Sequence, residues 1–250
     1  MKNKADVAKR IIVALDVEGR KEALSLVKKL ERAEIFKVGL KLFTAEGPSL
    51  LQEIQSLGKK IFLDLKLHDI PNTVAEAVKM GIKHGAHMLT LHYSGGQEMM
   101  ASAVKAAKEA EKRGMAKPCL LAVTILTSLK DEELREIGMN ASIRTQVLRL
   151  AKLAKEAEMD GVVCSPQEID IIKGEFGKDF LVVTPGIRPS WAVPHDQKRI
   201  MTPSLAIKKG ADYLVIGRPI IEAFSPQEAF LEICEELNRA VEPSHSKNST

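Results

Sequence analysis

The sequence predicts a single (β/α)8 barrel, because of its length and because strand patterns alternate with helix patterns along it. A chain of 250 residues has the usual length of one such barrel. Short apolar runs rich in β-branched residues recur, and each is followed by a longer segment with helical periodicity, which is typical of βα units around a parallel sheet. We therefore expect one domain over residues 1–241, followed by a polar, Ser-rich tail at 242–250 that is predicted to be disordered.

Eight βα units can be counted in order. The predicted strands comprise residues 11–16, 36–40, 60–67, 88–92, 119–126, 161–164, 180–184 and 213–216. Helical periodicity is clearest at residues 21–30, 73–83, 98–113, 142–157 and 226–237. Two predicted helix starts, at residues 165–168 and 225–228, read Ser-Pro-Gln-Glu, in which a Ser cap precedes a Pro and is followed three residues later by a Glu.

An open, doubly wound sheet also alternates strands and helices, and it is the alternative architecture. A dinucleotide-binding sheet of that kind would carry GxGxxG directly after its first strand. The four residues after Asp16 read Val-Glu-Gly-Arg instead. This difference favours the closed barrel.

The composition favours an anionic small molecule as the ligand. The formal net charge of +4 and the pI of about 8.8 suit such a ligand but fall short of the concentrated charge of a nucleic-acid-binding protein. Aromatic residues make up 4% of the chain and offer few surfaces on which bases could stack. No run approaches the ~20 apolar residues of a membrane span. The sequence therefore predicts neither a nucleic acid nor a membrane as partner.

The cysteines indicate a reducing compartment. The three of them stand far apart, at positions 119, 164 and 234, and form no CxxC pair. Neither a zinc site nor a disulfide framework is predicted from this spacing. The cytoplasm is the expected location.

Charged residues are predicted on the inner face of three neighbouring strands. Side chains alternate across a strand, so the leucines at positions 63, 65 and 67 face the helices, while Asp64 and Lys66 face the barrel interior near the carboxyl end of the third strand. The same alternation turns Asp16 and Lys37 inward on the first two strands. Barrel enzymes place their chemistry at this end of the strands.

These inward charges, together with Asp69 in the following loop, alternate in sign along three adjacent strands. We expect them to form a chain of ion pairs across one mouth of the barrel. For any one of them, a structural salt bridge or a rim charge that reaches water is the simpler interpretation. Five converging charges favour catalysis, because a stable core is built more simply from aliphatic residues.

Two loops carry an anion-binding pattern. In many barrels the loops after strands seven and eight bind phosphate, and here they contain Gly186, Arg188, Gly217 and Arg218. Glycine lets backbone N–H groups approach an anion, and arginine offers two parallel donors. The inner face of the fourth strand carries Thr90 and His92; His92 is either catalytic or a hydrogen-bonded core histidine.

The third strand and the loop after it resemble a known signature. The segment reads Asp64-Leu65-Lys66-Leu67-His68-Asp69-Ile70-Pro71-Asn72-Thr73, which is similar to the DxKxxDIPxT motif of orotidine 5'-monophosphate decarboxylases, in particular their bacterial branch. Further matches follow in order over nearly the whole chain: Ala-Leu-Asp at 14–16, Lys-Val-Gly at 37–39, Leu-Thr-Ser at 126–128, Pro-Gly-Ile-Arg-Pro at 185–189 and Ile-Gly-Arg-Pro at 216–219.

The resemblance implies a role for each matched residue. Lys66 would give the proton to C6 of the pyrimidine, Asp64 would lie beside the departing carboxylate, and Asp69 would reach into the site of a partner subunit. Asp16 and Lys37 would contact the ribose, and Thr73 of the neighbouring subunit would contribute. Thr127 and Ser128 would bind the pyrimidine edge. The phosphate would be bound by Arg188, Gln197, Gly217 and Arg218.

The resemblance also implies a homodimer that uses neither a metal nor an organic cofactor. Two alternatives stay open. One is a magnesium-dependent sugar-phosphate decarboxylase similar to 3-keto-gulonate 6-phosphate decarboxylase, in which the position of Lys37 is typically an acidic metal ligand; a cation there repels a metal. The other is a catalytically silent nucleotide-binding barrel, against which the intact set of charges argues.

Overall fold

The computed structural model describes residues 7–192 and 201–241, and within them eight parallel strands close into a barrel in the order of the chain. The predicted (β/α)8 barrel is confirmed, and the open sheet is excluded by the pairing of the first strand with the last. The strands are β1 Ile11–Ala14, β2 Ile35–Gly39, β3 Lys60–Leu67, β4 Ala86–His92, β5 Cys119–Val123, β6 Gly161–Val163, β7 Leu181–Thr184 and β8 Tyr213–Ile216.

Helices cover the outside of the barrel. They are α1 Arg20–Lys29, α2 Leu40–Glu46, α3 Ser49–Ser56, α4 Pro71–Lys83, α5 Gly96–Lys112, α6 Asp131–Glu136, α7 Ile143–Glu156, α8 Ile169–Phe176, α9 Pro203–Lys209, α10 Arg218–Ile221 and α11 Pro226–Val241, with short 3-10 turns at Val7–Arg10, Tyr93–Gly95 and Pro166–Glu168. Over these described ranges no helix is long and apolar enough to cross a membrane. The tail predicted at 242–250 lies outside the described residues.

Four predicted strands were too long at their carboxyl ends, the second and sixth by one residue each and the first and fifth by more. The first ends at Ala14 rather than at position 16, and the fifth ends at Val123 rather than at position 126. In the fifth strand the apolar pattern continues past the strand ladder because buried Ile125 and exposed Leu126 both line a cavity. Residues after the end of β5 therefore contribute to the cavity at the mouth of the barrel.

The apolar residues form two cores, one on each side of the sheet. The smaller core fills the barrel interior and includes Ile12, Phe62, Met88, Leu121 and Val215, all of them buried. The larger core lies between the sheet and the helices and takes the opposite faces of the same strands, including Val13 and Leu63. The predicted alternation in β3 is therefore confirmed. Because the inner core fills the space between the strands, any open volume must lie at a barrel end.

Two aspartates close the amino-terminal end of the barrel. Asp160 precedes β6 and accepts hydrogen bonds from the backbone N–H of Leu120 and from Lys117 Nζ, both at 2.8 Å. Asp212 precedes β8 and accepts from the backbone N–H of Val182 at 2.7 Å. It also pairs with Lys173 Nζ at 2.7 Å. Each carboxylate thus ties one strand to the start of its neighbour, where a strand ladder leaves backbone donors unpaired.

We predict that Asp212→Ala lowers the free energy of unfolding by about 1–3 kcal/mol, because it leaves a buried N–H group and a nearly buried ammonium without their carboxylate. Urea denaturation at neutral pH measures the change. The control is Lys108→Ala, which removes an exposed ion pair with Glu158 and should shift the free energy by no more than about 0.5 kcal/mol. Equal effects of the two substitutions would contradict the structural role of Asp212.

Candidate active site

A cavity of about 240 Å³ opens at the carboxyl-terminal end of the barrel. Its walls have two characters. One is charged and comes from β2, β3 and the segment directly after β1. The other is apolar and includes Val123, Ile125, Val163 and Val215. The rim of the cavity carries Thr127, Pro185, Arg188, Gly217 and Arg218. A ligand here would be held between fixed charges on one side and a water-excluding surface on the other, as binding clefts commonly arrange.

The charged wall is a continuous chain of ion pairs. Lys37 Nζ lies 3.2 Å from Asp16 Oδ1 and 3.7 Å from Asp64 Oδ2. Lys66 Nζ lies 2.9 Å from Asp64 Oδ1 and 3.0 Å from Asp64 Oδ2. The two central members are the least accessible, with 12% of the Lys37 side chain and 13% of the Asp64 side chain exposed. Four members of the predicted chain are therefore brought together in the predicted order.

Strand register explains why these four side chains meet. Ala14 of β1 pairs with Lys37 of β2, and Gly39 of β2 pairs with Asp64 of β3. A small residue beside each charged one leaves room for the long side chains. At Gly39, an added Cβ would lie 2.9 Å from Lys37 Nζ, which is too close for an undisturbed ammonium group. The glycine therefore belongs to the site although it carries no functional group.

The backbone at Lys66 departs from regular strand geometry. Leu63 pairs with Leu89 and Leu67 with Leu91, so four steps along β3 lie opposite two steps along β4. Lys66 has a φ of 50°, in the left-handed region that non-glycine residues seldom adopt. The irregularity lets Asp64 and Lys66 converge on the cavity and form an ion pair two residues apart.

Glycine and arginine line the opposite rim. Arg188 is buried, and its Nη1 donates to the carbonyl oxygen of Ile187 at 3.1 Å. Gly217 allows a close approach, since a Cβ there would lie 3.3 Å from Asp16 Oδ2 and 3.3 Å from the Ala14 Cβ. Arg218 follows at the start of α10. The predicted residue Gln197 lies outside the described residues.

Three predicted site residues are not part of the cavity of their own chain. Asp69 is exposed, and its Oδ1 accepts a hydrogen bond from the backbone N–H of Ile70 at 2.7 Å. Thr73, in the first turn of α4, and Ser128 are exposed as well. The expectation that Asp69 extends the ion-pair chain and flanks Lys66 was wrong for a single chain: the loop after β3 turns outward, and Lys66 is paired with Asp64.

His92 packs beside the site rather than lining it. Its Nδ1 contacts Ser94 Oγ at 2.5 Å, and its ring stacks on that of His68 with centroids 5.7 Å apart. Burial lowers the pKa of His92 below its ordinary value, and the charges of His68 and Lys66 lower it further. Of the two interpretations of this residue, the geometry favours the hydrogen-bonded histidine.

One buried hydroxyl in the site was not predicted. Thr90 Oγ1 lies 3.0 Å from Asp64 Oδ1 and 2.9 Å from the backbone nitrogen of Lys66. The inward position of Thr90 follows from strand alternation, but its two partners depend on the register of β3 against β4. Within the part of the chain that the structure describes, no three His, Cys, Asp or Glu side chains are grouped so as to hold a metal.

Comparisons with known proteins point to one family. The sequence model described as "Orotidine 5'-phosphate decarboxylase / HUMPS family" matches residues 9–233. An orotidine 5'-phosphate decarboxylase of Saccharophagus degradans is 48% identical over 232 residues, which cover 92% of this chain and 96% of the relative. Its counterpart in Syntrophomonas wolfei is 50% identical over 232 residues, covering 91% of this chain and 97% of the relative.

The solved structures agree with the sequence comparisons. The crystal structure of orotidine 5'-phosphate decarboxylase from Lactobacillus acidophilus has a TM-score of 0.82 and 40% sequence identity, and it covers 92% of this chain and 99% of its own. The similarity therefore extends over the whole barrel, including the strands that carry the ion-pair chain.

We predict that His92 titrates below the ordinary pKa of histidine, because burial and two positive neighbours disfavour its charged form. Histidine side-chain NMR spectra recorded from pH 4 to pH 9 measure this. Lys66→Met removes one positive neighbour and should raise the apparent pKa of His92, whereas the exposed control Lys108→Ala should leave it unchanged. A His92 that titrates above the ordinary value would show that the stacked arrangement is wrong.

Proposed function

The chain belongs to the orotidine 5'-phosphate decarboxylase / HUMPS family, and from this membership we propose that it converts orotidine 5'-phosphate into UMP and carbon dioxide. This reaction is the last step of de novo pyrimidine nucleotide synthesis. The observation that carries the proposal is the chain Asp16–Lys37–Asp64–Lys66 at the mouth of a cavity. A protein that only bound nucleotides would gain stability by replacing such charges with apolar side chains.

The chemistry requires a fixed positive charge. Breaking the bond between C6 and the carboxylate releases carbon dioxide and leaves the electron pair on an sp2 carbon that has no adjacent electron sink. We assign the Lys66 ammonium to stabilise this carbanion and then to transfer its proton to C6. The charge is already in place, in a partly desolvated wall, before the reaction begins, and such preorganised electrostatics are commonly the largest contribution to catalysis. Lys66 would regain its proton from solvent.

Asp64 has two parts in this proposal. It holds Lys66 through both carboxylate oxygens, and it would lie beside the substrate carboxylate, as the resemblance of its motif to the family signature implies. Two carboxylates in one partly buried place repel each other, and loss of carbon dioxide removes that repulsion. We propose Asp16 and Lys37 as the ribose contacts, because they form the outer end of the same chain.

The substrate's other groups are assigned to the opposite rim. Arg188, Gly217 and Arg218 line the cavity after β7 and β8, which is where many barrels bind phosphate. Gln197 is proposed to join this set. Thr127 lines the cavity and is the residue we assign to the pyrimidine edge, with Ser128 as an exposed neighbour. Binding of the remote phosphate would help to hold the pyrimidine against Lys66.

A homodimer would complete the site. Asp69 and Thr73 are exposed on the single chain, and Ile70 between them is 66% exposed. The support for an interface here is the resemblance of this segment to the family signature, whose matching residues reach a partner subunit. We propose that Asp69 and Thr73 reach the cavity of a second copy, where Asp69 would stand near the partner's Lys66.

We propose that the reaction uses neither a metal nor an organic cofactor, and that it takes place in the cytoplasm. Lys37 contributes a positive charge where the magnesium-dependent members of the superfamily typically have an acidic ligand. No disulfide links the three cysteines, all of which lie within the described ranges, and this suits a reducing compartment.

We expect the wild-type protein to convert orotidine 5'-phosphate to UMP in the presence of EDTA. Lys66→Ala should lower kcat by about 10²-fold to 10⁴-fold, because the group that donates the proton is removed. The decrease in absorbance on loss of the orotate chromophore measures both rates. The control is Lys60→Ala, at the opposite end of the same strand, where Lys60 forms an exposed pair with Glu34; its kcat should match wild type. A rate abolished by EDTA, or unchanged by Lys66→Ala, would reject the assignment.

Mixing two inactive variants tests the shared site. If Lys66 and Asp69 of different chains meet, Lys66→Ala and Asp69→Ala homodimers are both impaired, but each heterodimer has one intact site. After unfolding and refolding of an equimolar mixture, we expect about a quarter of wild-type activity, as random assortment in a twofold dimer requires. If both residues serve the site of their own chain, the mixture should be no more active than its parents.

A further inference from the structure

Thr90 lies on the inner face of β4 and is fully buried. It is not among the residues that line the cavity. A buried hydroxyl must find partners for both its proton and its oxygen, because an unsatisfied polar group in the interior is costly. The partners of Thr90 are both in the irregular part of β3, at the two residues that form the inner end of the ion-pair chain.

The hydroxyl closes a ring of hydrogen bonds. Thr90 Oγ1 donates to Asp64 Oδ1 at 3.0 Å and accepts from the backbone N–H of Lys66 at 2.9 Å. The Lys66 ammonium in turn donates to the same Asp64 oxygen at 2.9 Å. One side chain therefore holds the carboxylate of Asp64 and the backbone of Lys66 at the same time, and each bond restrains the others.

This ring holds a strained backbone. Lys66 has a φ of 50°, and a non-glycine residue persists in the left-handed region when its surroundings overdetermine it. The bulge opposite β4 interrupts the regular ladder between the pairs Leu63–Leu89 and Leu67–Leu91. Between these two pairs, the Lys66 N–H group donates to the Thr90 hydroxyl. In a regular strand it would donate to a backbone carbonyl.

The ring also limits how Asp64 can turn. Asp64 Oδ2 lies toward Lys37, at 3.7 Å from its Nζ, while Oδ1 is held by Thr90. Without the hydroxyl, the carboxylate could rotate about its side-chain bonds and the lysine could relax toward a more favourable backbone conformation. Either movement displaces the ammonium group from its position in the cavity wall.

We propose that Thr90 is a positioning residue for the reaction: its hydroxyl locks Asp64 and the left-handed backbone of Lys66 so that the ammonium is aimed at the carbon that loses the carboxylate. The proposal rests on the decarboxylase function proposed above. It assigns to Thr90 no contact with the substrate. Its effect should therefore fall on kcat rather than on substrate binding, since misplacement of a reacting group raises the barrier of the chemical step.

A pair of substitutions separates the hydroxyl from the methyl group. Thr90→Val keeps the volume and loses the hydroxyl, while Thr90→Ser keeps the hydroxyl and loses the methyl. We expect Thr90→Val to lower kcat by about 10-fold to 100-fold with KM within about 3-fold of wild type, and Thr90→Ser to retain kcat within about 3-fold. Steady-state turnover of orotidine 5'-phosphate measures both constants.

Thr184→Val controls for the loss of any buried hydroxyl. Thr184 is fully buried at the end of β7, a strand that carries no member of the ion-pair chain, and it donates to the carbonyl oxygen of Cys164 at 2.8 Å. Its substitution should lower the thermal unfolding temperature while leaving kcat unchanged. If Thr90→Val fails to fold, Thr90→Ala replaces it in the comparison. The alanine and serine variants differ only by the hydroxyl group, so Thr90→Ala should show the loss of kcat expected for Thr90→Val.

Three results would overturn the proposal. Two of them are a Thr90→Val enzyme with wild-type kcat and a Thr90→Ser enzyme as impaired as Thr90→Val, which would assign the effect to packing. A fall in kcat for Thr184→Val as large as that for Thr90→Val would also overturn it. Failure of the decarboxylase function is distinct, because the wild-type protein itself would then show no turnover.

Discussion

The geometry of the candidate site depends on the pairing of four charged side chains of alternating sign at one end of a closed barrel. Removing an ion from water costs several kcal/mol even after relaxation, and each member of the chain is stabilised by its oppositely charged neighbour. The requirement shapes the surrounding residues. Gly39 leaves space for the Lys37 ammonium, and Gly217 leaves space for the Asp16 carboxylate. Thr90 donates a further hydrogen bond to the Asp64 carboxylate.

The two ends of the barrel divide stability and chemistry between them. Apolar side chains such as Phe62 and Met88 fill the interior, and Asp160 and Asp212 tie the strand starts together at the amino-terminal end. These contacts stabilise the barrel beneath the cavity. The carboxyl-terminal end carries charges, an open volume and a strained lysine, each of which reduces stability. A functional site can hold such features only on a scaffold that is stable without them.

The single chain accounts for the chemistry only in part. Its cavity contains the group proposed to supply the proton and the arginines proposed for the phosphate, but Asp69 and Thr73 of the same signature face outward. The loop after β3 begins where the strand leaves the barrel, so residues a short distance apart in sequence point to opposite sides of the rim. In our proposal a second copy provides the missing carboxylate, which links activity to assembly.

The sequence alone determined the barrel, the inward direction of Asp64 and Lys66 and the two Gly-Arg loops, because these follow from strand alternation and from the order of βα units. It predicted a chain of five charges, and the four that lie on or directly after neighbouring strands do meet, since neighbouring strands of a parallel barrel are consecutive in the chain. The bulge in β3, the left-handed backbone of Lys66 and the hydroxyl ring of Thr90 were decided by tertiary structure. Lys66 and Thr90 are 24 residues apart, and which atoms meet across that distance depends on a register shift that no local pattern encodes. The outward turn of Asp69 and the early end of β5 were likewise set by how the strands pack, because a strand ends where its neighbour stops offering hydrogen bonds.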